Sequence, residues 1–114
     1  MVKIHSMRLD NEPFLHIASG KKDIEMRLFD EKRRAISPGD EIELENRENG
    51  AKMRVKVKKM HVFSDFRALY LAFDKLRIGY SEDENADFRD MEQYYFKDDI
   101  EKYSVVGIEI ELVE

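Results

Sequence analysis

Ser19 to Arg34, SGKKDIEMRLFDEKRR, changes its hydrophobic period in the middle, and that change sets the fold. Just before it, Phe14, Leu15, Ile17 and Ala18 are spaced as on one face of a short amphipathic helix. Inside it, Ile24, Met26 and Leu28 alternate with Asp23, Glu25 and Arg27, the period of a half-buried strand over about Lys22 to Phe29. Gly20 suits the position just past a helix, where a left-handed residue is needed. Lys21 and Lys22 therefore sit at a helix-to-strand corner. Glu25 and Arg27 share the face opposite Ile24 and Met26.

Upstream, Lys3 to Leu9 reads as a short strand, Asp10 or Asn11 as a helix N-cap, and Pro13 fits the first turn. Downstream, Asp30 to Ala35 is a charged turn or a single helical turn, and Ser37-Pro38-Gly39-Asp40 is turn chemistry. Glu41 to Arg47 alternates as a strand, and Asn49-Gly50 marks a hairpin into a long strand over Ala51 to Phe63. Met53, Val55 and Val57 share one face of that strand, but Met60 and Val62 carry the apolar face onward out of phase. One extra residue at Lys58-Lys59 accounts for the slip, so a β-bulge is expected there. Ser64 is expected to cap a helix over Asp65 to Phe73. A loop containing Gly79 follows from Asp74 to Asn85, then a helix over Ala86 to Phe96 and a further helical turn over Lys97 to Lys102. Ser104 to Val113 reads as a last strand, with Val106, Ile108, Ile110 and Leu112 inward and Glu109 and Glu111 outward. The order β, α, β, β, β, α, α, β implies an α+β domain with a mainly antiparallel sheet. With its bulge and amphipathic cover, that sheet is expected to curl into a small closed or half-closed barrel.

At 114 residues and 42% apolar, the chain supports one domain, 1–114, with one modest core. It has no cysteine, hence no disulfide framework or thiolate chemistry. The start, MVKIHSMRLD, carries no signal-like apolar run, and no stretch is long enough for a membrane span, so a cytoplasmic protein is expected. A net charge of -5 disfavours counterion-driven binding to nucleic acid while allowing a local basic patch.

The string Gly20-x-Lys22-x-x-Glu25-x-Arg27 resembles the ASCH domain family (activating signal cointegrator homology). The resemblance continues through Asp30-Glu31-Lys32-Arg33, Pro38-Gly39-Asp40 and the segment YSVVGIEI, Tyr103 to Ile110. It implies a PUA-like β-barrel with helices covering one mouth, and binding of RNA or a modified nucleoside in a cleft at that mouth. Some relatives resemble 4-acetylcytidine amidohydrolases, and a ribonuclease activity is attributed to others. In the amidohydrolases a Lys and a Thr of one strand act with a Glu from a later loop. Here the Lys is Lys22, the loop Glu is Glu84 or Glu82, and Glu25 stands at the Thr position, so the hydroxyl is missing.

Lys22, Glu25 and Arg27 are accordingly the expected cleft residues. Glu25 close to Lys22 favours a donating ammonium over a general base, so the trio is better equipped for recognition than for acyl transfer. Tyr80 is the stacking candidate and approaches with Glu84 from its loop, while Lys21 and Arg33 are expected to meet phosphate. Tyr94 and Tyr95, at helical spacing, read as core. Lys52, Arg54, Lys56 and Lys58 read as cross-strand partners of Glu41, Glu43 and Glu45 or of Glu109 and Glu111. His5, His16 and His61 have no ligand-like spacing, and Glu82-Asp83-Glu84 reads as a solvated loop, so no metal and no cofactor are expected. Two other readings stay open: an amidohydrolase acting on acylated nucleosides through Lys22 and Glu84, and a protein-interaction module with an inert cleft. The sequence leaves the oligomeric state open.

Overall fold

A computed structural model describes residues 2–113. Five strands form one curled sheet: β1 (Ile4–Leu9), β2 (Ile24–Leu28), β3 (Glu41–Asn46), β4 (Lys52–Phe63) and β5 (Val105–Leu112). Their order across the sheet is β1-β3-β4-β5-β2. Only β1 against β3 runs parallel; the other three pairings are antiparallel. β1 and β2 stand at the two edges, so the sheet is a half-barrel with an open seam between them.

Helices α1 (Asn11–Ala18), α2 (Glu31–Arg34), α3 (Phe66–Ala72) and α4 (Lys97–Tyr103), with a 3-10 helix over Phe88–Gln93, complete the fold. The register shifts between Val57 and Lys59, which is the bulge expected from the phase slip. The basic stripe of β4 does meet acidic neighbours. Arg54 lies 3.0 Å from Glu41, Lys52 3.5 Å from Glu43 and Lys58 3.8 Å from Glu109.

Three expectations about elements are corrected. The α3 cap is Asp65, not Ser64, because the Asp65 carboxylate accepts from the Ala68 amide at 2.9 Å. The expected helix over Ala86 to Phe96 is a shorter 3-10 helix; Asp87 caps it by accepting from the Arg89 amide, and the chain is extended again at Phe96. Leu112 is exposed rather than inward, and Val105 is buried in its stead. The β2–β5 ladder ends at Glu109, with one further bond from the Ile110 amide to the Asp23 carbonyl, so at Leu112 β5 has a neighbour on one side alone.

β5 lies inside the sheet between β4 and β2, and both of its faces are buried along much of its length. Met7, Leu9, Ile42, Leu44, Val55, Val57, Val106 and Ile108 fill the inner face, plugged by Phe14 and Ile17 of α1. Ile24, Met26 and Val105 form the other face, under Phe66 and Leu69 of α3. Gly107 lets that helix approach. A Cβ there would lie 3.0 Å from Ile24 Cγ2 and 3.3 Å from Phe73 Cε2. Ile24 is fully buried and branched, so it has no room to yield. Gly107→Ala is expected to destabilise the protein by about 1–3 kcal/mol, read as a lower melting temperature with an unchanged far-UV spectrum.

Candidate functional site

The register decides where the polar face of β2 points. Glu25 pairs with Ile108 and Arg27 with Val106, both inner-face residues, while Met26 pairs with Gly107 on the helix-covered face. Glu25 and Arg27 therefore look into the half-barrel rather than out to solvent.

The corner before β2 delivers Lys22 to the same place. Gly20 takes φ 81°, and the amides of Lys21 and Lys22 both donate to the His16 carbonyl, at 3.0 and 3.1 Å. The Lys22 stem then runs past Gly79, whose missing side chain leaves the space: a Cβ there would sit 3.3 Å from Lys22 Cδ. Gly79 itself has φ 113°, a conformation reserved in practice for glycine.

Lys22 Nζ lies 2.9 Å from Glu25 Oε1, and their side chains are only 7% and 6% exposed. Arg27 donates to Glu25 Oε2 through Nε at 3.2 Å and Nη2 at 3.0 Å. Burial alone would push the Glu25 carboxyl up, but the charges and hydrogen bonds of Lys22 and Arg27 outweigh it and hold the group at about 2. Burial likewise works against the Arg27 guanidinium, and Glu25 more than offsets it, so its pKa lies above the ordinary value. Arg27 Nη2 also donates to the Arg8 carbonyl at 2.9 Å, which carries this one side chain from β2 across the seam to β1.

The seam is a cleft of about 550 Å³. Lys22, Glu25, Arg27 and Arg33 line it together. Arg33 is held by the Asp30 carboxylate, which accepts from its backbone amide and from Nη1, both at 3.1 Å. Its Nε is buried without a partner among the described residues.

Lys21, Tyr80 and Glu84 are placed elsewhere. Lys21 and Tyr80 line a smaller hollow of about 410 Å³ beside Glu82. The Tyr80 hydroxyl donates to Asp90 at 2.7 Å and shares a hydrogen bond with the Tyr70 hydroxyl at 2.9 Å. Burial, reinforced by those bonds, pushes that phenol far above its usual range. The ring is thus fixed away from the cleft. The exposed Glu84 carboxylate accepts from the Ser81 amide and hydroxyl, both at 2.8 Å, which draws its pKa down. The Glu82 and Glu84 carbonyls both accept from the Lys75 ammonium, so the acidic loop closes on a lysine.

Several cleft residues were not expected from the sequence. Arg8 and Arg47 reach the rim because the parallel β1–β3 pairing lays the end of β1 beside the start of the hairpin, and no local pattern signals that. Tyr94, read as core, is 66% exposed and lines the cleft, because the 3-10 helix ends before it and turns it outward. Tyr95 lines the cleft too, and its ring stacks on Phe66 with centroids 5.7 Å apart. The adjacent tyrosines were the available signal.

The ASCH domain family model matches residues 7–114. The crystal structure of hypothetical protein PH0355 is similar with a TM-score of 0.82 and 35% identity, over 96% of this chain and 99% of that one. Protein PF0455 from Pyrococcus furiosus, solved by solution NMR, gives a TM-score of 0.75 and 33% identity over 97% and 98%. A mutant of ZmASCH from Zymomonas mobilis shares the fold at 16% identity, with a TM-score of 0.69 over 96% of this chain and 68% of that one. No curated protein matches. With a half-barrel shared over 96% of its length and a family match over residues 7–114, this chain belongs to the ASCH domain family, and its fold is the PUA-like one.

Proposed function

We propose that the seam cleft binds RNA or a modified nucleoside, in keeping with the RNA-related role that the ASCH fold suggests. One observation carries the reading: a buried cationic pair with unspent donors faces a cleft of nucleoside size. Lys22 spends one of three N–H groups on Glu25, and Arg27 leaves both Nη1 hydrogens without a partner among the described residues. Glu25 is already engaged through both oxygens. The site therefore offers hydrogen-bond donors, and base carbonyls, ring nitrogens and phosphate oxygens supply the acceptors. The cleft also sets the acidic Asp10, Glu12, Glu25 and Asp30 against its basic residues. That balance favours a single nucleoside or a short unpaired segment over a long polyanion.

Recognition is favoured over amide hydrolysis by two features. Lys22 is bound to a carboxylate, which suits a donor rather than a base. Glu84, the acid a lysine-dependent hydrolase would need beside it, is committed to Ser81. No described helix is long and apolar enough to cross a membrane, and we infer a cytoplasmic protein.

The test is a melting-temperature screen against nucleosides and short single-stranded RNAs, with Arg27→Ala as the paired variant. Ligands that bind the folded state raise the melting temperature by mass action. The wild type is expected to respond, and Arg27→Ala to bind roughly tenfold or more weakly through loss of charge-assisted bonds. A flat response to every ligand would favour the interaction-module reading. Hydrolysis of 4-acetylcytidine that Lys22→Ala abolishes would favour the enzyme.

A further inference from the structure

The wall of the cleft includes main chain as well as side chains. β2 is an edge strand, paired on one side only, with β5. In such a strand alternate residues turn their N–H and C=O toward the partner, and the residues between turn theirs away. The hydrogen bonds fix which is which. The Ile110 amide donates to the Asp23 carbonyl and the Phe29 amide to the Ser104 carbonyl, so odd-numbered residues face β5. The Ile24 amide donates instead to the Arg77 carbonyl, off the other edge, where the Asp23 amide joins it ahead of the strand. Met26 and Leu28 must therefore present N–H and C=O to the open side. Both residues line the cleft, and neither main chain bonds to any described residue on that side.

The opposite wall follows the same logic. β1 bonds β3 through its odd residues, since the Glu41 and Arg47 amides donate to the Lys3 and Leu9 carbonyls. Arg8 consequently faces the seam, where its carbonyl accepts from Arg27. The cleft is a slot between two free strand edges, bridged by one guanidinium.

The free part of β2 is short. Arg77 fills the edge at Ile24, and Asp30 is already the cap of α2. Only Met26 and Leu28 are left, which is too little for an added peptide strand. A carbonyl at one residue and an amide two residues on, pointing the same way, do match an adjacent donor and acceptor on the rim of one planar heterocycle.

We propose that the Met26 carbonyl and the Leu28 amide read the Watson–Crick edge of a single unpaired base. The ligand of this cleft is then a nucleoside, or a nucleotide splayed out of its stack, and not a duplex or a bare phosphate chain. This rests on the nucleoside reading above and adds how the base is held. The exposed Tyr94 stands at the rim, where a ring can cover the base face.

The experiment compares each parent nucleoside with a partner methylated on that edge: uridine with 3-methyluridine, guanosine with 1-methylguanosine, adenosine with N6,N6-dimethyladenosine, cytidine with N4,N4-dimethylcytidine. 5-Methylcytidine, altered off the edge, is the control. At millimolar ligand, at least one parent is expected to raise the melting temperature, with its edge-methylated partner binding roughly tenfold or more weakly. 5-Methylcytidine should behave as cytidine does. Leu28→Pro removes the proposed donor without breaking the β5 ladder and should lose the response; if that variant does not fold, the nucleoside comparison alone decides. Equal binding of parents and edge-methylated partners would overturn the main-chain reading while leaving the cleft a nucleoside site. No response to any nucleoside or short single-stranded RNA would overturn both.

Discussion

Glu25→Ala is expected to be among the most damaging single substitutions in this protein. It costs about 3–5 kcal/mol, because it leaves the Lys22 and Arg27 cations buried without their shared counter-ion. Glu25→Gln should cost less, since the amide oxygen still accepts one hydrogen bond. The acid dependence gives the sign independently. The folded-state pKa of Glu25, about 2, lies below its ordinary value of 4.5. Its contribution is therefore fully present above pH 4.5 and is lost as pH falls toward 2. On linkage that contribution is on the order of 3 kcal/mol. Other carboxylates, including Asp40 and Glu109, are depressed as well, so the wild-type acid transition alone does not isolate Glu25. The difference between wild type and Glu25→Gln does. Denaturant melts of both should show a gap that is constant above pH 5 and narrows steadily below 4.5. A gap that stays constant down to pH 2.5 would mean that the carboxylate is not held by these cations.

The half-barrel was legible in the sequence because each cue was local. Asn49-Gly50 closes the β3–β4 hairpin, the phase slip in the long basic strand is the bulge, and the alternation from Ile24 to Leu28 is β2. The orientation of β2 was not legible in the same way. Alternation says that a strand has two faces, and the ordinary inference puts the charged one in water. Here Ile24 and Met26 go under α3, and Glu25 and Arg27 go inside. The reversal follows from β2 joining β5 at the edge of a curled sheet, which is a tertiary fact. The same holds for the rim. Arg8 reaches the cleft through a parallel pairing between strands more than thirty residues apart. Tyr80 and Glu84 were expected near Lys22 because the family resemblance sets an acidic loop residue beside that lysine, and the loop does come close: Gly79 lies against the Lys22 stem. The loop nevertheless turns both side chains away, using hydrogen bonds to Asp90 and Ser81 that spacing alone does not specify. The legible part of the site was the charged string on one strand, and the illegible part was everything that other elements bring to it.

Lys22 separates packing from charge, and its two substitutions should therefore behave differently. The side chain is 7% exposed, and its stem fills space beside Gly79. Lys22→Ala removes both stem and ammonium, so a cavity is added to the loss of one of Glu25's two cations. A cost of roughly 2–5 kcal/mol is expected for deleting a side chain of that size from the interior. Lys22→Met keeps most of the volume and loses only the charge, and Arg27 remains to hold Glu25. Its stability loss should be smaller, of order 1–2 kcal/mol, in the range of an unmade charge-assisted bond. Ligand binding should not follow stability. If the ammonium is a donor in the cleft, both variants lose nucleoside affinity alike, by roughly tenfold or more, although one folds far better than the other. If Lys22 serves only to anchor Glu25, Lys22→Met should bind almost as the wild type does. Melting curves with and without nucleoside, run on the two variants side by side, distinguish a residue that touches the ligand from one that merely supports its neighbour.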